Sequence, residues 1–505
     1  MYNYLIAHDL GTTGNKATLF SDEGKLIRSI TYSYNTHFFN GNWAEQNPLD
    51  WWKAVCETNK QLLKGIDKNK VAALAFSGQM MGCVCVDSNG ELLRDAIIWA
   101  DQRSVAEEIN IKGKIDELEF YNITGHRISA SYSIEKLMWI RNNEPDIFKR
   151  IYKVLNPKDY IIYRLTGKFV TDYSDASGTN AFDIVNLEWS EKILGCAELD
   201  INLFPTAYPS TYIAGEISLK VSDECGLSSG TKVVIGGGDG VCAAVGAASV
   251  KEDVAYNYLG SSSWVAYTSK KPVFDKKMRT FNWVHMIPGY YAPTGTMQAA
   301  GNSFSFMKDI MCDGLSKEAQ KYNCNVYDSI NQLIESSKLG ANGLIFLPYL
   351  LGERSPRWNP NARGAFIGIK MEHTKADFLR STVEGILMNL DIILRIFEES
   401  SDIKIMNIIG GMAQGAPIRR ILADIYGLRV NKLNYLEEAT SMGAAVAAGV
   451  GVGMFKDFNV IHKFIQIEEE IIPDMENHSQ YEPIKEVFEN SYKALLGIYD
   501  ELAKL

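Results

Sequence analysis

Cysteine is scarce in this chain, eight in 505 residues, and no two stand as CxxC. A disulfide scaffold and a zinc ribbon are therefore excluded. Cys83 and Cys85 have the spacing of same-face neighbours on a strand, as buried thiols in a reducing compartment do. The seven histidines make no HxxxH or HExxH pair, so no metal site is expected from them. Long hydrophobic runs are missing too: no stretch reaches the ~18–20 apolar residues of a membrane span. The opening MYNYLIAHDL lacks the basic start of a secretory signal. A cytoplasmic protein with no membrane partner is expected. There is no excess of positive charge. The 51 basic and 61 acidic side chains give −10, a balance that repels phosphate backbones, so nucleic acid is not an expected partner. What is there is ordinary for a folded protein: 46% hydrophobic and 22% charged residues. At ~150 residues per domain, that length suggests two to four domains.

Punctuation along the chain outlines an α/β protein. Tyr4 to Leu10, Ala17 to Phe20 and Leu26 to Tyr34 read as strands separated by Gly11–Gly14 and Asp22-Glu23-Gly24 turns. A helix is predicted over 48–64, followed by a strand from Val71 to Phe76, a Ser77-Gly78 break and a strand from Val84 to Val86. Lys232 to Ile235 runs into Gly236-Gly237-Gly238-Asp239-Gly240 and a small-residue helix, Val241 to Val250. Ala255 to Leu259, Gly260 to Ser263 and Trp264 to Tyr267 then repeat the opening pattern in degenerate form. A second domain is expected to begin near residue 250. Farther on, Thr374 and Asp377 open one helix, and Pro417 and Gly427 bracket another between strands Met406 to Ile409 and Leu428 to Leu433.

Five segments can carry chemistry. In Asp9-Leu-Gly-Thr-Thr-Gly, glycines let N–H groups approach a phosphate, threonines can donate to it, and an aspartate at a strand end can hold Mg2+. The spacing is not that of a P-loop, and a plain hairpin with Asp9 as a cap would look the same. Asp239 precedes a helix, where an N-cap role explains it by itself; the same place suits a base that takes a proton from an alcohol. Gly410-Gly411-Met412-Ala413 can admit a nucleotide or be a tight turn. Gln79, Met80 and Met81 interrupt a strand and can face a cleft or fill a core. Gly352 to Trp358 is polar and reads as a surface loop with an internal ion pair.

In this order the segments resemble the FGGY family of sugar kinases, within the superfamily that shares the actin-like and ribonuclease-H-like ATPase fold. DLGTTGNK at 9–16 is similar to the family's phosphate hairpin, and SYSIEKLMWIRNN at 131–143 to one family signature, with Lys136 and Trp139 in place. GAFIGIKMEHTKADFLRSTVE at 364–384 is similar to the other. PKDYIIYRLTG at 157–167, GERSPRWNPNARG at 352–364 and GGMA at 410–413 extend the likeness from about residue 4 to 455.

The resemblance implies two actin-like/ribonuclease-H-like ATPase domains flanking a central cleft. Residues 1–249 would carry the sugar site and base, and residues 250–505 the nucleotide site. It implies ATP and Mg2+, a small sugar as the other substrate, and leaves a homodimer open. Asp239 matches the general base, and Asp9 the acidic residue beside the metal, directly or through water. Gly11, Thr12, Thr13 and Lys16 match the first phosphate turn, Gly260 and Ser261 the second. Gly301, Gly411 and Met412 match nucleotide contacts. Gln79, Met80, Met81, Ser131 and Gly240 fall at sugar-site positions. Within the family the likeness is nearest to xylulokinases, which convert D-xylulose and ATP to D-xylulose 5-phosphate and ADP. Their substrate loop usually reads Gln-Met-His-Gly and an asparagine follows their base; here Met81 and Gly240 stand instead. Those departures open preference toward another ketose, a polyol or an aldonate such as gluconate, with Arg127 and His126 as replacement contacts. An actin- or chaperone-like ATPase would share the phosphate turns but lack the two signatures.

Overall fold

The computed structural model describes residues 3–505; Met1 and Tyr2, the start of the expected first domain, lie outside the described residues. Six strands make the first sheet: β1 (Tyr4–Leu10), β2 (Gly14–Ser21), β3 (Leu26–Ser33), β4 (Val71–Gly78), β5 (Ile213–Glu216) and β6 (Lys232–Gly238). Their order is β5-β6-β4-β1-β2-β3. The antiparallel meander β1-β2-β3 lies on one side of β1, and β4 and β6 run parallel to it on the other. Seven more strands make the second sheet: β7 (Val254–Leu259), β8 (Ser263–Tyr267), β9 (Phe281–Val284), β10 (Tyr291–Met297), β11 (Ile405–Ile409), β12 (Arg429–Leu433) and β13 (Ile467–Ile471). In the order β9-β10-β8-β7-β11-β12-β13, the meander β7-β8-β10 and the parallel pair β11, β12 reproduce the plan of the first. The faint internal repeat in the sequence is thus one sheet topology built twice.

Three of the helices that matter here are α1 (Pro48–Leu62), α2 (Ser133–Asn143) and α3 (Asp239–Gly246). The others are α4 (Lys375–Glu398), α5 (Ala416–Tyr426), α6 (Ala439–Gly451) and α7 (Met475–Leu502). Thr374 and Asp377 form the expected capping box of α4, and Gly427 ends α5 in the left-handed region at φ 68°. β1 and β4 are buried on both faces, with α1 and its Trp51 and Leu62 on one side. That double cover is why these strands read as continuous apolar runs. On the other side lies α6, a helix from the second half seated on β1, β4 and β6 of the first. It meets α3 at very short range: a Cβ on Gly246 would stand 1.8 Å from the Ala439 carbonyl oxygen, and one on Gly443 2.0 Å from that of Cys242. One apolar core consequently joins Leu5 and Ala7 to Tyr256, Met442 and Phe455 across the two halves.

The structure corrects several local expectations. β4 continues through the expected break at Ser77-Gly78, because those residues pair with Asp9 and Leu10 on one side and Gly237 and Gly238 on the other. In the centre of a sheet, two filled ladders outweigh the weak strand preference of glycine. The short strand Val84–Val86 leaves the main sheet and pairs with Lys153–Leu155. The loop 352–358 is not a surface loop with its own ion pair. Glu353 is buried and accepts from the Gln298 and Arg354 backbones and from Asn389 Nδ2, while Arg357 reaches Glu489 on α7.

Candidate active site

A cavity of about 740 Å3 opens where the C-terminal ends of the two sheets face each other. Asp9, Gly11, Lys16 and Asp239 enter it from the first half, and Gly260, Ser261, Gly301, Gly411 and Met412 from the second. A volume of this order suits a nucleotide. Asp9 sits near the end of β1, where Oδ1 accepts from Ser77 Oγ at 3.1 Å and Oδ2 from Thr440 Oγ1 of α6 at 2.7 Å. In the turn between β1 and β2 the Gly11 N–H donates to the Gly14 carbonyl at 3.0 Å. Lys16 Nζ reaches across to the Glu437 carbonyl at 3.0 Å. The matching turn between β7 and β8 receives the Gly301 N–H on the Gly260 carbonyl at 2.9 Å, which docks the start of the 301–311 helix against it. Gly410 closes the far wall at φ 94°, where an added Cβ would stand 2.7 Å from the Leu259 carbonyl.

Asp239 is the first residue of α3, and Gly238 caps that helix. Asp239 Oδ1 accepts from the Gly240 N–H at 2.7 Å, whereas Oδ2 has no donor among the described residues. One oxygen therefore serves the helix end and the other stays free toward the cavity. Burial, reinforced by the facing Asp9 carboxylate, pushes the Asp239 carboxyl up to about 7. Burial likewise raises Asp9, against hydrogen bonds from Thr440 and Ser77. A carboxyl poised near neutrality with a free oxygen can accept a proton from an alcohol.

The remaining candidate residues do not line this cavity. Thr12 Oγ1 accepts from Trp99 Nε1 at 2.8 Å, and Thr13 is exposed. Gln79 is 3% exposed and donates to Gln46 Oε1 at 2.8 Å. Met80 and Met81, 4% and 7% exposed, belong to the core between the halves. Met81 holds φ 62°, and its carbonyl accepts from Lys136 Nζ at 2.7 Å. The same ammonium donates to the Ser131 carbonyl, so a buried cation ties two sugar-site candidates together. Burial draws Lys136 down to about 7. Ser131 Oγ accepts from Gln102 Nε2 at 2.6 Å. His126 is buried, bonds Tyr132 OH through Nδ1 at 3.0 Å and is pushed by burial down to about 3. Arg127 lies half-buried over the Trp358 ring at 5.3 Å. A methyl group on Gly240 would have only Trp283 within 4 Å, the indole Nε1 at 3.7 Å.

The cavity also contains residues that sequence reasoning missed: Tyr258, Trp264, Thr440 and the polar edge Asn325, Asp328 and Asn331. None sits in a glycine-rich or acidic pattern. Only the repeat of the β1–β2 hairpin pointed toward Tyr258 and Trp264.

Known proteins share this geometry and the sequence behind it. The N-terminal domain of the FGGY family of carbohydrate kinases matches residues 4–246, and its C-terminal domain matches residues 255–452. The chain belongs to the FGGY family of carbohydrate kinases. A xylulose kinase from Staphylococcus epidermidis is 34% identical over 491 residues, covering 96% of this chain and 95% of that one. A gluconokinase from Bacillus subtilis is 28% identical over 505 residues, covering 100% and 98%. A ligand-bound xylulose kinase from Lactobacillus acidophilus superposes with a TM-score of 0.92 at 26% identity, over 99% of each chain. This FGGY protein is an ATP-dependent carbohydrate kinase with the two-domain actin-like fold, acting on a small sugar. The actin- or chaperone-like ATPase is set aside by membership in a kinase family. No helix among the described residues is long and apolar enough to cross a membrane.

Proposed function

We propose that this FGGY kinase transfers the γ-phosphoryl group of ATP to D-xylulose in the cytoplasm, with Asp239 as general base. The observation that carries the reading is the free Oδ2 of Asp239 in one cavity with both glycine turns. Residues up to about 249 hold the sugar and those from 250 the nucleotide. Asp239 Oδ2 takes the hydroxyl proton as the sugar oxygen bonds to the γ-phosphorus, and the bond from that phosphorus to the β-phosphate oxygen breaks to release ADP. Backbone N–H groups at 12–13 and 260–261 and Lys16 spread the charge on the phosphates. Among the described residues no three His, Cys, Asp or Glu converge as a metal cage. Mg2+ needs only one or two carboxylates beside substrate phosphates and water, and Asp9 fits that demand. Asp9 would hold the ion, which when bound would supply positive charge beside the phosphates.

Similarity to xylulose kinases supports the sugar named. A second reading, gluconate, is favoured by Arg127. Its guanidinium makes one long contact, 3.4 Å to the Met278 carbonyl, and keeps donors free for a carboxylate. An ADP-release assay across ketoses, polyols and aldonates tests both. The fastest turnover is expected with D-xylulose. A higher kcat/KM for gluconate would overturn that choice in favour of the second reading.

A further inference from the structure

At the position that follows Asp239 the first domain offers no side chain, because that residue is Gly240. The gap is bordered by the second domain. Trp283 stands on β9, and this strand leans onto the first half, with the Asn282 N–H donating to the Gly125 carbonyl at 3.0 Å and the Val284 N–H to Ser177 Oγ at 3.3 Å. The indole is 5% exposed and firmly packed, against His126 at 4.4 Å and Phe281 at 5.3 Å between ring centroids. The gap over Gly240 is faced by its polar edge: a Cβ there would meet Nε1 at 3.7 Å and Cδ1 at 3.9 Å, and nothing else within 4 Å. The Nε1 hydrogen has no acceptor among the described residues, and the nitrogen is not sealed in the core. Trp52, Trp99, Trp189, Trp264 and Trp358 all donate to a protein oxygen. A tryptophan this buried normally finds a partner for its N–H.

We propose that the Trp283 indole N–H donates a hydrogen bond to the sugar, holding a substrate oxygen next to the one that Asp239 deprotonates, and so selects which sugars are accepted. The proposal rests on Asp239 being the base of the sugar site. A rigid ring loses little freedom on binding, and a donor left unpaired rejects sugars lacking the matching oxygen. Because the donor comes from the second domain and the base from the first, a sugar that engages both also bridges the two halves.

The test compares wild type with Trp283→Phe, which keeps an aromatic ring and removes the N–H. The probes are the preferred sugar from the assay above and its series of monodeoxy analogues. Failure of D-xylulose as the preferred sugar therefore changes the series and leaves the comparison intact. Wild type is expected to disfavour one analogue by about tenfold or more in kcat/KM. Trp283→Phe is expected to lose about tenfold on the parent sugar and to stay within about twofold on that analogue. An equal loss on every analogue, or no loss on any, would overturn the assignment. Should Trp283→Phe fail to fold, Gly240→Ala reads the same contact, since its methyl would cover the indole nitrogen in ordinary van der Waals contact at 3.7 Å. Discrimination is then expected to fall in the same way, and its persistence would equally overturn the proposal.

Discussion

A carboxyl raised from 3.8 to about 7 links catalysis and stability in opposite senses at Asp239. In the proposed role of base it works unprotonated, so kcat/KM is expected to rise as pH climbs through about 7. For stability, the folded state keeps a proton that the unfolded chain gives up above 3.8, so its contribution declines as pH rises toward 7. Asp239→Asn is therefore expected to cut turnover by about 10²–10⁴-fold while leaving the melting temperature at pH 8 unchanged or higher. Parallel turnover and melting curves at pH 6 and 8 check this. A lowered melting temperature with turnover intact would make the residue a helix cap only. Asp9 and Asp239 were legible in the sequence through the likeness of the segments around them to the family's motifs, because a capping role explains either acid locally. Thr440 was not legible: its hydroxyl bonds Asp9 from 431 positions away, and nothing local in a small-residue helix announces that contact. The same holds for Trp283, whose indole comes to stand over Gly240 of the other domain only through the packing of the two halves.

Among the elements, the contact between α3 and α6 is the tightest constraint on sequence. A methyl on Gly443 would stand 2.0 Å from the Cys242 carbonyl oxygen, and a shift of α3 to relieve it would move Asp239, the first residue of that helix. Gly443→Ala is expected to cost about 1–3 kcal/mol in urea unfolding and to lower kcat as well. Gly497→Ala is the contrast. It lies within α7 with nothing inside 4 Å of an added Cβ, so it is expected to stabilise by about 0.5–1 kcal/mol with activity unchanged. Equal behaviour of the two variants would show that close approach is not what the α3–α6 glycine serves. The helix boundaries at Pro48, Thr374, Pro417 and Gly427 were readable because caps and stops act within one turn. The extent of β4 and β6 was not, since pairing on both sides carries a strand through residues that prefer turns. The loop at 352–358 was misplaced for a related reason. Its charged residues suggested solvent, but Glu353 is satisfied by backbone N–H groups brought from residue 298 and by Asn389.

Over the whole molecule, the cleft is lined from both halves, and the contacts Thr440 to Asp9 and Lys16 to Glu437 cross between them. α6, seated on the first sheet, joins the second half to the first. Closure of the halves when sugar and nucleotide bind would exclude water, which otherwise competes as the phosphoryl acceptor. The radius of gyration from small-angle scattering is expected to fall when the preferred sugar and a nonhydrolysable ATP analogue are added together. An unchanged radius, with sugar-independent ATP hydrolysis already slow, would show that a static cleft suffices.

The α/β class, the two glycine turns, both acidic residues and the family signatures can be read along the chain. Each of these is written in residues close together in the chain, where glycine, proline and charge have local consequences. Tertiary structure alone decided that Asp239 keeps one oxygen free and titrates near neutrality, that Lys136 pins Met81 to Ser131, and that an indole N–H opens beside Gly240. Those properties come from desolvation and from partners on distant strands, and burial of a group is fixed only when the two halves have packed together.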